Sequence, residues 1–206
     1  MPAPTESSNA LRRRILDSAR TLVVEEGYRA LTMRRLARRI GYSATSIYLH
    51  FESKDALLHA LVDEGMSALY SCLTEAADKS VCAADAVRRV CEGYIDFGLM
   101  NPEYYEIMFM LHPDHMGRFP AEKYRKARRS LEVIDRALRE AWSSEDDDSG
   151  VALLDAALVW ANLHGAVSLL IARRLDVKLD RDLFISRVLE RTMHGLGLEL
   201  RVEAGP

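Results

Sequence analysis

The chain contains 206 residues, of which 49% are hydrophobic, and its 28 Lys and Arg residues against 31 Asp and Glu give a formal net charge of −3. This length can bury the core of one large or two modest domains, and the three cysteines match neither a disulfide framework nor a zinc knuckle. We expect a cytoplasmic protein without a membrane span, because the sequence lacks a signal peptide and any uncharged apolar run of roughly 18 residues.

The first two predicted helices follow from apolar periodicity. Helix 1 ends at Gly27 and keeps one apolar face: Leu11, Ile15, Ala19 and Leu22. Helix 2 follows Thr32, because four apolar residues recur at i, i+3, i+4 and i+7: Met33, Leu36, Ala37 and Ile40. Gly41 comes directly after this stripe, where a left-handed residue ends a helix at least cost.

A third helix is predicted from residue 44 to about residue 50, because Ser43 can accept a backbone N–H at its start. Its leading residues are small enough to bring the backbone close to base edges in a major groove: Ala44, Thr45 and Ser46. Ile47 and Phe51 are four residues apart and point back into the core. Two short helices joined by a glycine turn, with a cationic and hydroxyl-rich surface, are typical of a helix-turn-helix that docks on DNA.

Several side chains around these helices can reach DNA. Tyr48, His50 and Lys54 can reach phosphate oxygens, whereas the small residues of helix 3 suit base edges. The predicted DNA-binding residues are Thr32, Arg34, Arg35, Ser43, Ala44, Thr45, Ser46, Tyr48, His50 and Lys54. Arg34 and Arg35 lie at the positive end of helix 2, which is unfavourable by about a few tenths of a kcal/mol each, and a phosphate would relieve this strain.

The charge distribution supports a nucleic-acid interface in the first quarter of the chain. Residues 1–60 carry 10 Lys and Arg against 6 Asp and Glu, a net of +4, and the rest carries −7. The alternative is an ordinary pair of helices with a solvated basic face.

Helical patterns continue through the rest of the chain. Further helices are predicted over residues 54–77, 83–100, 102–111, 121–142, 151–174 and 181–197, with a loop over 112–120. Because no alternating strand pattern occurs, the fold class predicted is all-α, with about nine helices.

Residues 11–61 resemble the DNA-binding domain of the tetracycline-repressor (TetR) family of bacterial transcriptional regulators. The family pattern is met by Thr32, Leu36-Ala37, Gly41, Ser43, Ile47-Tyr48, His50-Phe51 and Ser53-Lys54-Asp55-Ala56-Leu57. One departure is Arg35, because many members carry there an acid that completes a capping box. The resemblance implies a three-helix helix-turn-helix DNA-binding domain over residues 9–55 and a helical ligand-binding and dimerisation domain over residues 56–200.

A second resemblance concerns the C-terminal domain. Residues 101–109 and 160–165 resemble the branch of the family named for its Trp-His-Gly signature. Members usually enclose a small molecule between these helices, so we expect an inducer pocket lined by Phe97, Met108, Met110, Leu111, Trp160 and His164. Such walls favour an apolar or aromatic ligand, and the alternative for each residue is an ordinary place in the core.

Small side chains form a ridge along the helix predicted over residues 151–174, which permits close helix packing. In the TetR family the last two long helices of each subunit form a four-helix dimer interface. We therefore expect a homodimer whose interface includes Ala157, Ala161, Gly165, Ser168, Val188, Leu189 and Thr192. The alternative is that the ridge packs inside one subunit.

The sequence thus predicts a homodimeric transcriptional repressor that binds palindromic double-stranded DNA and is released by a small, apolar or aromatic ligand. Two alternatives stay open: a DNA-binding regulator without an inducer, controlled by a partner protein or acting as an activator, and a helical carrier or enzyme. We predict no catalytic residue, metal site or cofactor, because no catalytic constellation occurs and His112 and His115 have no further clustered ligand.

Overall fold

A computed structural model describes residues 7–110, 121–142 and 149–198. Within these ranges the backbone forms nine α-helices and no strand, which confirms the predicted all-α fold. The helices are α1 (Ser8–Glu26), α2 (Met33–Ile40), α3 (Ala44–Tyr48), α4 (Lys54–Asp78), α5 (Ala83–Met100), α6 (Pro102–Tyr105), α7 (Ala121–Trp142), α8 (Ser149–Ile171) and α9 (Arg181–Gly195). A 3₁₀ turn at Tyr28–Ala30 and a π-helical turn at Glu106–Met110 add to these.

The predicted helix bounds agree with the structure to within a few residues, with two differences. The helix predicted over residues 102–111 is a single α-helical turn that continues as the π-helical turn. The helix predicted over 151–174 is α8, which ends at Ile171, because Arg173 adopts a left-handed conformation with φ 52°. The Arg174 N–H then donates to the Leu169 carbonyl at 2.9 Å, a Schellman closure that is usually marked in sequence by glycine. The loop predicted over 112–120 lies outside the described residues.

Close backbone contacts divide the chain into two compact units. The first contains the described residues of Met1–Gly65 and Pro102–Lys123, and the second those of Met66–Asn101 and Tyr124–Pro206. The functional domains predicted over residues 9–55 and 56–200 stay a prediction, because contact density does not define a functional domain.

The first unit is built around the apolar faces of α1 to α4. Its core side chains are almost fully buried: Ile15, Ala19, Leu22, Leu36, Ile40, Ile47, Leu57, Leu58 and Leu61. The stripe predicted for α2 is confirmed, because all four of its apolar residues are buried. The π-helical turn approaches α4 at Gly65, where a Cβ atom would collide with the sulfur of Met108. Glycine therefore permits this close approach.

The second unit packs α5, α8 and α9 against one another. Its core includes Val87, Val90, Tyr94, Ile134, Leu138, Ala156, Leu163, Val167 and Met193. Two indole groups add hydrogen bonds between elements. Trp160 donates to the Tyr94 hydroxyl at 3.0 Å, and Trp142 of α7 donates to the Leu196 carbonyl at 3.1 Å.

Among the described residues, α8 alone is long and apolar enough to cross a membrane by length and composition. One such helix is weak evidence for a span, because core helices of soluble proteins pass the same test. Here the inner side of α8 packs on α5 and α9.

Candidate nucleic-acid interface

Three side-chain and backbone caps shape the turn between α2 and α3. The Thr32 hydroxyl accepts the Arg35 N–H at 3.2 Å, and the Ser43 hydroxyl accepts the Ser46 N–H at 3.1 Å. Between them Gly41 is left-handed, with φ 77°, as predicted. These caps end α2 and begin α3 within three residues, which sets the direction of α3.

The burial pattern of α3 separates an inner from an outer face. Ile47 is fully buried and Phe51 is 5% exposed, as predicted. On the outer side Tyr48 is 52% and Leu49 83% exposed, and Thr45 is exposed one turn before Leu49. The sequence analysis assigned no role to Leu49. The rotation of α3 about the buried Ile47 decides the exposure of Leu49, and no local sequence pattern marks it.

The N-terminus of α4 follows the end of α3 after five intervening residues. The Ser53 hydroxyl caps it by accepting the Ala56 N–H at 3.0 Å. Lys54 is half-buried, and burial lowers the pKa of its ammonium group, against the smaller opposing effect of the Asp55 carboxylate. A helix N-terminus beside an ammonium group is a favourable place for a phosphate oxygen.

The basic residues of α2 differ in their partners. Arg35 pairs with Glu26 of α1, and the Arg39 Nη2 lies 2.9 Å from the Glu25 Oε2. Arg34 is exposed. Glu26 of α1 therefore already offsets the charge of Arg35 in the free protein, and the expected phosphate contact of Arg35 stays a prediction.

Two arginines of α1 contact the helix-turn-helix and hold it against α1. Neither was predicted from the sequence. Arg14 donates to the Ile40 carbonyl at 3.0 Å, and its guanidinium lies 5.5 Å from the Tyr42 ring centroid. Arg12 lies 5.1 Å from the Phe51 ring centroid. Both contacts attach α1 to the ends of α2 and α3, where cation–π pairs contribute about 0.5–1 kcal/mol at exposed sites.

The residues predicted to line an inducer pocket are distributed over both units. In the second unit Phe97 is buried, while Trp160 and the half-buried His164 stack with ring centroids 5.3 Å apart. In the first unit Met108 is half-buried and Met110 is 43% exposed. Leu111 lies outside the described residues.

The described parts of the chain include at least two surface grooves. One of about 370 Å³ is lined by Asn9, Arg12, Arg13, Leu16, Ala60 and Glu64. Another of about 190 Å³ runs between α8 and α9 and is lined by Asp155, Leu158, Val159, Asn162, Arg191, Thr192, Gly195 and Leu196. Neither contains a residue of the predicted inducer pocket, which therefore stays a prediction. In the same parts no group of three His, Cys, Asp or Glu side chains could hold a metal ion.

We expect His164 to make the stability of the protein depend on pH. Burial lowers its pKa below the ordinary histidine value, so the unfolded chain binds a proton more readily than the folded one. We expect this contribution to be fully present above about pH 6.5 and to be lost as pH falls through the lowered pKa. Urea unfolding of wild type and His164→Gln between about pH 5 and 8 measures it. Equal pH dependence in both proteins would contradict the expectation.

The predicted dimer residues lie at different depths on α8 and α9. Ala161 and Gly165 are exposed, and Ala157, Ser168, Val188 and Leu189 are half-buried. Thr192 is buried on the inner side of α9, where its hydroxyl donates to the Val188 carbonyl at 2.8 Å and accepts from the Asn162 amide at 2.6 Å. Thr192 therefore packs within the chain.

Larger apolar residues are exposed beside Ala161 and Gly165. Leu154, Leu158 and Leu169 are 62%, 59% and 41% exposed. We define the outer face of α8 as the residues that share this side of the helix: Leu154, Leu158, Ala161, Gly165 and Leu169. The packing of the opposite side of α8 on α5 decides that these large leucines face outward.

Two family models match the chain. Residues 15–61 match the model described as "Bacterial regulatory proteins, tetR family", and residues 87–192 match "Tetracyclin repressor-like, C-terminal domain". The narrower resemblance to the Trp-His-Gly branch is not confirmed by these matches.

Curated relatives of two kinds match the chain, transcriptional regulators or repressors and nucleoid occlusion factors. The HTH-type transcriptional repressor Rv1474c of Mycobacterium tuberculosis is 49% identical over 65 residues, which cover 31% of this chain and 35% of that protein. The chain spans between 29% and 51% of the length of the first curated relatives it matches.

Solved structures share the fold along nearly the whole chain. A protein of unknown function from Rhodococcus sp. RHA1 has a TM-score of 0.77 at 24% identity, covering 95% of this chain and 98% of that one. FadR from Bacillus subtilis, solved in complex with stearoyl-CoA, has a TM-score of 0.68 at 19% identity, covering 89% and 98%. The chain belongs to the TetR family of DNA-binding bacterial regulatory proteins.

Proposed function

We propose that this protein is a cytoplasmic, homodimeric transcriptional repressor that binds a palindromic operator and is released by a small apolar or aromatic ligand. The observation that supports DNA binding is the outer face of α3, which we define as Thr45, Tyr48 and the C-cap residue Leu49. Capped by Ser43 and anchored by the buried Ile47, this short helix presents Thr45, Tyr48 and Leu49 outward. Such a helix, set at a defined angle after a turn, fits the major groove.

The side chains around α3 suit two kinds of contact. Ala44, Thr45 and Ser46 are short enough for base edges, where a hydroxyl can donate or accept and a methyl can touch thymine. Tyr48, His50 and Lys54 stand toward the end of α3 and the start of α4, where they can reach phosphates. Exposed Arg34 and the helix start at Thr32 offer further phosphate contacts. Arg35 would share its charge with Glu26.

The outer face of α8 supports the dimer. A row of exposed leucines flanking Ala161 and Gly165 is an unpartnered apolar helix face that a second copy of α8 can cover. A two-fold dimer places two recognition helices on half-sites about one helical turn apart, or a multiple of it, which gives a palindromic operator.

Repression is supported by one relative, and ligand binding is supported by another relative and by the composition of the C-terminal helices. Rv1474c is named a repressor, and FadR was solved with stearoyl-CoA, an apolar acyl chain carried by a nucleotide group. Trp160 and His164, which stack on each other, and the buried Phe97 would provide the aromatic walls of a pocket in the second unit. In the proposed dimer, a ligand can bind more tightly when the spacing of the two helix-turn-helix regions does not match the operator. Such a ligand weakens DNA binding by the difference between its affinities for the matching and the mismatched state, typically about 1–3 kcal/mol.

Substitutions in the helix-turn-helix region from Thr32 to Lys54, which we call the head, should separate affinity from specificity. We expect Lys54→Gln and Tyr48→Phe to weaken binding to all duplexes alike. Lys54→Gln should also lower the salt dependence of the binding constant, by the amount that corresponds to about one phosphate contact per head. Thr45→Val and Ser46→Ala should instead change which duplexes bind best. Fluorescence anisotropy at several salt concentrations, with duplexes enriched from a random-sequence pool, measures both effects.

Lys178→Gln is the matched control, because Lys178 is an exposed lysine in the second unit, outside the head. It should leave affinity and salt dependence unchanged. Equal effects of all four head substitutions on every duplex would contradict the assigned roles. A reporter gene behind the enriched duplex tests the sign of regulation, since raised expression would indicate an activator.

A further inference from the structure

The outer face of α3 carries one large apolar side chain to which the proposed contacts assign no partner. Leu49 closes the helix, and its backbone N–H donates to the Thr45 carbonyl at 3.1 Å. Its side chain is 83% exposed, whereas Ile47 and Phe51 of the same segment are buried. Packing within the chain therefore does not account for a leucine at this position.

Leu49 lies one helical turn after Thr45, on the same face of α3. Helical side chains lean toward the N-terminus, so the Leu49 side chain covers the surface next to Thr45. The residues of the first turn, Ala44 to Ser46, are all short. Leu49 is thus the longest aliphatic side chain on the face that would enter a groove.

The chemistry of the major groove offers few partners to such a side chain. Base edges there present hydrogen-bond donors and acceptors, and their apolar group is the C5 methyl of thymine. We propose that Leu49 is a specificity-determining residue that packs against thymine methyl groups in each half-site. This inference rests on the proposed DNA-binding function and adds to it the base that α3 reads by apolar contact.

Deoxyuridine tests the contact because it removes the methyl group and leaves every hydrogen-bonding group of thymine in place. The full chain is used to enrich duplexes from a random-sequence pool, and each thymine of the enriched half-site is then replaced by deoxyuridine. We expect at least one position at which the replacement weakens binding of wild type about fourfold per half-site, as for one buried methyl. At that position Leu49→Ala should bind the thymine and deoxyuridine duplexes equally.

Val81→Ala is the control, because Val81 is exposed to a similar degree, 86%, and lies in the turn before α5. Val81→Ala should show the same loss of affinity as wild type when thymine is replaced by deoxyuridine. Because Leu49 is so exposed, Leu49→Ala should also melt at the wild-type temperature, which circular dichroism checks. If Leu49→Ala keeps the wild-type deoxyuridine effect, or if wild type binds its enriched sequence without any such effect, this inference alone is overturned. If no sequence is enriched, the proposed DNA-binding function fails and this inference fails with it.

Discussion

Replacing Leu158 with lysine is expected to leave the protein folded but monomeric, and to weaken operator binding at least about a hundredfold. Leu158 lies in the middle of the outer face of α8 and is 59% exposed, so the lysine is tolerated in a single chain. In the proposed dimer the same ammonium group would be buried against a second apolar face, which costs several kcal/mol. Loss of the second head removes the gain from binding two half-sites at once, about 10²–10⁴ in affinity.

Sedimentation velocity measures the oligomeric state, and anisotropy with the enriched duplex measures the affinity. Met100→Lys is the matched control, because Met100 is an exposed apolar residue, 81% accessible, at the end of α5 in the same unit. It should remain dimeric and bind normally. A dimeric Leu158→Lys with wild-type affinity would show that the outer face of α8 is not the interface.

Replacing Arg20 with methionine should lower the free energy of unfolding by about 1–2 kcal/mol. The Arg20 side chain is 20% exposed and joins α1 to the segment after Pro102 within the first unit. Its Nε donates to the Glu103 Oε2 at 2.9 Å and its Nη1 to the Tyr104 hydroxyl at 2.6 Å. Hydrogen bonds to charged groups contribute about 1.5–3 kcal/mol, and the partial exposure of Glu103 reduces this value.

Urea unfolding measures the loss, and a double-mutant cycle with Glu103→Gln isolates the pair from the packing of the arginine stem. Arg38→Met is the control, because Arg38 is an exposed arginine of the same unit. It should change stability by less than about 0.5 kcal/mol. A coupling energy near zero between Arg20 and Glu103 would show that their contact does not attach the segment to α1.

The elements predicted most accurately are those whose cause lies within one helical turn. Thr32, Gly41 and Ser43 act on backbone groups three or four residues away, so the bounds of α2 and the start of α3 could be predicted from local chemistry. The apolar stripe of α2 is similarly a property of helical periodicity. The end of α8 was predicted too late, because Arg173 adopts a left-handed conformation without the glycine that usually marks it.

Part of the candidate site could also be predicted, because helical spacing can be recognised in the sequence. The inner positions Ile47 and Phe51 follow from their spacing, but the outward position of Leu49 depends on how α3 rotates against the other helices. The carboxylate that pairs with Arg35 comes from α1, nine residues earlier in the chain, and no local pattern relates the two residues. The exposure of Leu154 and Leu158 likewise depends on which side of α8 packs on α5.

The amino-acid sequence by itself determined the helical class, the caps of the helix-turn-helix, the basic first quarter and the family. These properties depend on hydrogen bonds and periodicities that span at most a few residues, or on motifs read directly from residue types. Only the tertiary structure decided which charges pair, which leucines remain outside and which α1 side chains brace the turn. Each of these depends on distances between helices that are far apart in the chain, and such distances follow from the packing of the whole core.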